Sequence, residues 1–307
     1  MSTSNIFGIN VDAKTFGIIE IIIATLIWGS LGVMIRNIDM DPFSIVAYRS
    51  LIALPVMMLL FVKNRERLNK NYKLLILSSV AIAMAWSAHF FAFKLTTIAN
   101  TVVLLYTGPI YVAILSPLLL KEVREKKTNI CLILSIAGMF LMYNQGLGDE
   151  LNDRGLMLGA ISGILFAFVI ISTKKLSKDY SSITIVTMQL FFSVIILSPA
   201  LFVEQQELIS NLPLLLVLGL VHTAVAEFLY IDGLIRVSTQ RASTISYIEP
   251  ASAIIYAIIL LNEVPKGLEV VGISLIAAAN IILNVNRDSK NDFSRNKKHK
   301  CYQRKKQ

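Results

Sequence analysis

Apolar residues form long runs along this chain, and short polar segments separate the runs. Each run approaches the roughly 20 residues that an α-helix needs to cross the hydrocarbon core of a bilayer. Helices are the expected form, because lipid cannot satisfy the backbone polar groups of an open strand. We therefore predict ten membrane-spanning helices, at residues 17–35, 43–62, 74–93, 99–120, 129–143, 155–173, 182–203, 212–234, 242–261 and 267–285. The fifth run is short, and we expect its helix to extend at either end.

The composition supports an all-α integral membrane protein. Hydrophobic residues make up 55% of the chain and charged residues only 16%, whereas soluble domains are about a quarter charged. Cys131 lies in an apolar run and Cys301 in the polar C-terminal segment, so a structural disulfide is not expected. The first apolar run lacks a small-residue cleavage site after it, and we interpret it as a retained helix.

The distribution of Lys and Arg predicts the orientation. If the N-terminus is cytoplasmic, 24 Lys and Arg residues fall in inside segments and 4 in outside segments. Cytoplasmic loops of membrane proteins carry such an excess, so we expect both termini on the cytoplasmic side of the cell (inner) membrane. Residues 286–307 hold nine of these cations. We expect this tail to lie against lipid headgroups and not to bind nucleic acid, because no nucleic-acid-binding fold accompanies it.

A repeated segment divides the chain into two halves. Residues 96–123 align without a gap to residues 237–264, and seven positions are identical. Tyr106, Pro109 and Glu122 of the first copy match Tyr247, Pro250 and Glu263 of the second. Each half would hold five spans, an odd number, so the second half should be inverted in the membrane. Inverted repeats in a bilayer are typical of transporters. The predicted organisation is a cytoplasmic N-terminus (1–16), a first repeat (17–143), an external linker (144–154), a second repeat (155–285) and a cytoplasmic tail (286–307).

These features resemble the drug/metabolite transporter superfamily, specifically its EamA-type members. The resemblance covers all ten predicted spans, and the residues that carry it are Trp28-Gly29, Tyr48-Arg49, Pro109, Leu120-Lys121-Glu122, Glu249-Pro250 and Leu261-Asn262-Glu263. It implies a basket of ten helices with a central cavity and cytoplasmic termini, moving small metabolites.

Ionisable side chains within the spans are the candidates for function, because they are costly in lipid and usually face a cavity or a partner. Arg49 could bind a substrate carboxylate through its guanidinium, or form a structural ion pair with Glu227 or Glu249. Glu249 precedes Pro250, which lacks a backbone N–H and should kink the helix, as should Pro109 in the first copy. A carboxylate beside such a kink could carry a proton or bind an amine.

The remaining polar and aromatic candidates have less specific roles. Glu20 and Asp232 lie near span ends, where we expect them to reach headgroups or water. His89 and His222 lie on separate spans without an acidic or cysteine partner at metal-binding spacing, so neither a metal site nor a cofactor is expected. Four aromatic residues are predicted to line the cavity, namely Trp28, Tyr48, Tyr106 and Tyr247. His89 and Glu227 are predicted to line it as well.

The leading hypothesis is a secondary carrier of small organic solutes, with alternating access between the two halves. An intramembrane hydrolase or acyltransferase and a solute channel are the alternatives. The chain lacks the motifs of zinc proteases and α/β-hydrolases, and it has no Walker motif for ATP hydrolysis. Two acids, one Arg and several aromatics suit a zwitterion such as an amino acid, or a cationic metabolite. The sequence leaves the oligomeric state open.

Overall fold

The computed structural model describes residues 3–6, 9–64, 66, 68, 70–96, 98–122, 126–143, 153–261 and 267–285. The chain begins with an antiparallel hairpin, β1 (Thr3–Ile6) and β2 (Ile9–Asp12), which the apolar pattern does not predict. The other regular elements of the described chain are helices, joined by turns and short irregular segments. The linker residues 144–152 and the basic tail 286–307 lie outside the described residues.

Each predicted span overlaps one helix or as many as three consecutive helices. In chain order these are α1 (Ala13–Gly29), α2 (Leu31–Arg36), α3 (Pro42–Asn64), α4 (Tyr72–Leu95), α5 (Ile98–Leu105), α6 (Gly108–Leu120), α7 (Lys126–Tyr143), α8 (Asp153–Leu176), α9 (Ser182–Ile196), a 3₁₀-helix (Ser198–Leu201), α10 (Gln205–Val217), a π-helix (Leu218–Val225), α11 (Ala226–Arg236), α12 (Thr239–Ile245), α13 (Ile248–Leu261) and α14 (Gly267–Val285).

The first, fourth, seventh and ninth predicted spans are interrupted or shortened in the structure. The first was expected to be continuous, but it is interrupted at Ser30, whose hydroxyl donates to the Ile27 carbonyl. The Ser30 backbone N–H bonds to the Ile27 carbonyl oxygen, three residues earlier, at 3.2 Å, so the α-helical spacing of four residues is lost there. The seventh was expected to reach residue 203, but its α-helix ends at Ile196 and a 3₁₀ turn follows. Pro199 in that turn has no backbone N–H and disfavours the α conformation in the residue before it.

Five helices are long and apolar enough to cross a membrane: Ala13–Ile35, Pro42–Asn64, Tyr72–Leu95, Asp153–Leu176 and Gln205–Arg236. Shorter apolar helices accompany them within the described chain. Large apolar side chains are widely exposed on the outer surface, including Leu118, Ile133 and Leu59, which are 73%, 65% and 67% exposed. Such a surface is unfavourable in water and suits contact with lipid. The chain is thus a multi-pass membrane protein.

Helices from the N-terminal and C-terminal parts of the chain pack directly against each other. α1 packs on α11 and α13, α3 on α9, α4 on α8 and α9, and α7 on α14. Close approach of α1 and α11 depends on two glycines, because a Cβ added to Gly233 would lie 2.5 Å from the Gly17 carbonyl oxygen. Small residues at helix contacts are the usual way for membrane helices to pack closely.

Candidate functional site

A cavity of about 110 Å³ lies between helices of the N-terminal and C-terminal parts of the chain. Its lining is mainly apolar and aromatic, with a few charged and polar side chains. The lining residues are Trp28, Leu31, Arg49, Ile82, Trp86, His89, Phe90, Leu105, Tyr106, Pro109, Phe166, Val169, Ile170, Thr173, Glu227, Tyr230, Ile231, Leu234, Ser246 and Glu249.

Arg49 is the cationic side chain of this cavity. It is 2% exposed, and its Nε donates to the hydroxyl of Thr223 at 2.8 Å. Its guanidinium carbon lies 4.3 Å from the Trp86 ring centroid and 5.4 Å from that of Phe90. Aromatic faces attract a guanidinium, and the attraction grows when water is excluded. The aromatic wall and the threonine together fix the position of this charge.

Two carboxylates share the cavity with Arg49. Glu227 on α11 is 5% exposed, and its charge interacts with that of Arg49, but the ion pairs among the described residues do not include the two. Glu249, on the first turn of α13, interacts with the Tyr106 hydroxyl. The structural ion pair of Arg49 with Glu227 or Glu249, one of the two alternatives from the sequence, is therefore absent from the described structure. These three ionisable side chains line one space, and the ion pairs among the described residues include none of them.

Aromatic residues complete the walls. The ring centroids of Trp28 and Tyr230 are 5.1 Å apart. His89 lies against Phe93 and Phe166, with centroid distances of 4.4 and 6.4 Å, and its Nδ1 is buried without a hydrogen-bond partner among the described residues. Within the described chain, no group of three His, Cys, Asp or Glu residues is placed to hold a metal ion.

The two prolines of the repeat lie beside breaks in their helices. The helical run of α5 and α6 is interrupted at residues 106–107, and that of α12 and α13 at residues 246–247. Tyr106 and Tyr247 occupy these breaks and bond to each other's segment: the Tyr106 hydroxyl donates to the Ser246 carbonyl, and the Tyr247 hydroxyl to the Tyr106 carbonyl at 2.9 Å. The broken helices of the two repeats thus meet beside the cavity.

Two of the residues predicted to line the cavity lie elsewhere. Tyr247 is fully buried next to Tyr106, with a ring centroid distance of 5.2 Å. Its hydroxyl is directed to the Tyr106 carbonyl oxygen at the helix break and not into the cavity. Tyr48 is one residue from Arg49 on α3, so its side chain leaves the helix in a different direction, and its hydroxyl donates to the Leu201 carbonyl. Pro250 is also outside the lining, whereas Pro109 is part of it.

Several lining residues were not predicted from the sequence. Trp86 and Phe90 follow Ile82 at helical spacing on α4, a pattern that equally fits packing against a neighbouring helix. Tyr230 lies three residues after Glu227, which places both on one face of α11. That spacing was readable in the sequence, whereas the contribution of α8 was not, because its apolar residues carry no chemical signal.

Glu20 and Asp232 also differ from expectation, because they do not simply reach for water or headgroups. Arg236 donates from Nη1 to Glu20 at 2.6 Å and also to Asp232. Glu20 is 4% exposed, and Asp232 additionally accepts from Ser182 at 2.6 Å. One arginine thus joins α1 to α11.

Polar contacts continue across the same end of the molecule, where the basic loops lie. Glu66 accepts from the backbone and hydroxyl of Ser181 and from Thr184, at the N-terminus of α9. Burial disfavours its charged form, but these hydrogen bonds outweigh burial and hold the pKa of Glu66 below its usual range. Glu122 accepts in the same way from the backbone and hydroxyl of Thr239, at the N-terminus of α12. Carboxylates of the first half therefore cap helices of the second.

Comparison with known proteins agrees with this architecture. The model of the EamA-like transporter family matches residues 15–144 and again residues 153–285. An uncharacterized transporter of Bacillus subtilis, YwfM, is 26% identical over 272 residues, which cover 86% of this chain and 92% of the relative. An uncharacterized transporter of Archaeoglobus fulgidus is 26% identical over 267 residues, covering 87% and 96%.

A solved crystal structure shares the fold at 16% sequence identity. Its TM-score is 0.73, and the match covers 89% of this chain and 96% of that chain. The family model spans nearly the whole described helical region, and the relatives are named as transporters rather than enzymes. This chain belongs to the EamA-like transporter family, and it is a membrane transporter.

Proposed function

We propose that this protein is a secondary carrier that moves small zwitterionic or cationic organic solutes, such as amino acids, by alternating access. The observation that carries the proposal is the cavity in which Arg49 faces Glu227 and Glu249 without a direct ion pair. Unpaired charges in a membrane protein are expensive and mark substrate or ion pathways. A solute that carries both a carboxylate and an ammonium group would supply the missing partners of Arg49 and of the two glutamates.

The chemistry of the cavity favours a zwitterion. A guanidinium binds a carboxylate through two parallel N–H···O bonds, so Arg49 would take the acidic end of the solute. Glu227 and Glu249 would take an ammonium group, which also favours the face of an aromatic ring such as Trp28. The apolar remainder of the lining would receive an aliphatic or aromatic side chain. A cationic solute would use the carboxylates and the aromatic walls alone.

In this proposal ten helices span the cell membrane as two inverted five-helix repeats, residues 17–143 and 155–285. The double match to the family model and the paired helix breaks before Pro109 and Pro250 support the duplication. The excess of Lys and Arg in alternate loops supports cytoplasmic termini, with 1–16 and 286–307 inside and 144–154 outside. Both repeats line the cavity, so a rocking motion of one repeat against the other would change the side of the membrane to which the cavity opens.

The proposal extends to direction and coupling. The contacts of Glu66, Glu122 and Arg236 join the halves at the end of the basic loops, and in this proposal they close the carrier on its cytoplasmic side. A carboxylate such as Glu249 could exchange a proton for the solute amine during the cycle. Proton-coupled export is the cycle that this arrangement would allow.

The test is transport by purified protein in sealed liposomes. Labelled L-amino acids and their decarboxylated amines are supplied one at a time, and uptake is measured with and without unlabelled solute preloaded inside. A carrier gives saturable uptake that preloading accelerates. Arg49→Ala should abolish uptake of the amino acids, whereas Lys175→Ala, which removes an exposed cation of α8, should not. Flux that never saturates and shows no counterflow would instead identify a channel.

A further inference from the structure

The helix that supplies Glu227 contains a π-helical segment at the depth of Arg49. Residues Leu218–Val225 are π-helical within the continuous helix Gln205–Arg236. In a π-helix the backbone bonds join residues five apart instead of four, and such segments are rare and occur frequently at functional sites. The hydrogen bonds that this segment makes to α1 and α3 indicate what the π-helical spacing does.

Two residues that line the cavity donate hydrogen bonds to this π-helical segment. The Trp28 indole nitrogen donates to the His222 carbonyl oxygen at 2.9 Å, and Arg49 Nε donates to Thr223 Oγ1 at 2.8 Å. Ser30 at the break after α1 bonds to His222 Nε2 at 2.8 Å. Adjacent residues of one π-helix thus hold α1 and α3 in place beside the cavity.

Thr223 has a single possible role toward Arg49, namely that of an acceptor. Its hydroxyl proton is donated to the Leu218 carbonyl oxygen, five residues earlier, at 2.8 Å. In an ordinary α-helix a threonine hydroxyl bonds to the carbonyl three or four residues earlier. The π-helical spacing therefore sets the direction of this bond and leaves an oxygen lone pair for Arg49. The side chain is fully buried, so water does not compete.

The bond from Nε determines what the rest of the guanidinium can do. With Nε engaged and the plane against Trp86, the terminal nitrogens Nη1 and Nη2 make no hydrogen bond to any residue that the structure describes. The backbone of α3 comes close enough for this because of Gly219, where an added Cβ would lie 2.6 Å from Ile52 Cγ2 and 3.1 Å from the Arg49 carbonyl oxygen. The fork that binds a carboxylate stays free.

We propose that Thr223, aimed by the π-helix, is the positioning residue that orients Arg49 for the carboxylate of the solute. This inference deepens the proposed function and rests on it for the identity of the bound group. Thr223 itself does not touch the solute. Without its hydroxyl, Arg49 would lose the contact that turns Nη1 and Nη2 towards the cavity and would swing towards Glu227.

Trp fluorescence tests the positioning without any solute. The chain has two Trp residues, and both line the cavity. Thr223→Val removes the hydroxyl at nearly constant shape and should shift the emission of Trp86, because the stacked guanidinium moves. The shift should vanish in a Trp86→Phe background. Thr223→Ser keeps the hydroxyl and should emit like the parent, as should Thr25→Val, whose hydroxyl bonds only within α1. Equal spectra for Thr223→Val and the parent, or equal shifts for Val and Ser, would overturn the proposal.

Transport of labelled amino acids in liposomes tests the consequence. Thr223→Val should raise KM for amino acids about tenfold, the loss expected for one hydrogen bond to a charged group, with a smaller change in the maximal rate. Thr223→Ser should restore KM. An unchanged KM in Thr223→Val would refute the positioning role. If the parent carries no amino acid, the proposed substrate class fails, while the fluorescence result still decides whether Thr223 orients Arg49.

Discussion

The contact between Arg236 and Glu20 gives the most quantitative prediction, because it joins α1 to α11 through one short ion pair. Arg236 Nη1 lies 2.6 Å from Glu20 Oε2, and the two side chains are 27% and 5% exposed. Breaking a buried pair costs about 3–5 kcal/mol, whereas an exposed pair contributes about 0–1 kcal/mol. The partial exposure of Arg236 places this pair between those limits. We expect a coupling free energy of about 2 kcal/mol.

A double-mutant cycle measures that coupling. Glu20→Gln, Arg236→Gln and the double variant are unfolded reversibly in mixed detergent and SDS micelles, and the free energies of unfolding are compared. Asp232 remains in every variant, so the cycle measures how much Glu20 adds to an Arg236 that keeps this second carboxylate partner. Lys175→Gln, at an exposed position, should change the free energy of unfolding by less than about 0.5 kcal/mol. A coupling below about 0.5 kcal/mol would refute the idea that this pair holds α1 against α11.

Three further predictions follow from single contacts. Glu66→Gln should destabilise the protein at neutral pH. A carboxylate whose pKa is lowered by folding stabilises the folded state above its ordinary pKa, and this stabilisation is lost as the pH falls through the folded pKa. The thermal midpoints of the parent and the variant should therefore differ at neutral pH and become equal in acid. Gly233→Val should lower the thermal midpoint and reduce transport, because the valine side chain would collide with Gly17. Lys178→Ala, at an exposed position, is the control. Equal thermal midpoints for Gly233→Val and the parent would contradict the close packing. Tyr247→Phe should lose about 1 kcal/mol of stability by leaving the Tyr106 carbonyl without its donor, and a neutral effect in the same unfolding assay would argue against that bond.

The helical segments were largely predictable, because a helix in contact with lipid needs a long and nearly continuous apolar run. Apolar runs located most helices to within a few residues, but they did not predict the breaks at Ser30, at 106–107 and at 246–247, the end of α9 before Pro199, or the start of α10 at Gln205. The hairpin before α1 was missed, since its polar residues carry no strong β signal. The repeat singled out Tyr106 and Pro109, because a Tyr and a Pro that recur in register are unlikely to match by chance in an apolar chain.

The site was only partly predictable. Charge in an apolar run is a strong signal, so Arg49, Glu227 and Glu249 could be found from sequence, and all three line the cavity. The roles of Tyr247 and Thr223 depend on which neighbour each hydroxyl meets across helices, and no spacing within one helix encodes that. A π-helix is equally invisible in sequence, because it adds one residue per turn without a characteristic composition.

The central claim is that two related halves cross the membrane in opposite senses around one solute cavity, and the sidedness of two loops tests it most directly. In a variant with Cys131 and Cys301 replaced by Ala and Ser, single cysteines are introduced at the exposed positions Lys70 and Glu204, one in each half. Intact cells are treated with a membrane-impermeant maleimide before and after permeabilisation. The account predicts that Glu204→Cys is labelled in intact cells and Lys70→Cys only after permeabilisation. Labelling of both positions from the same side would contradict it.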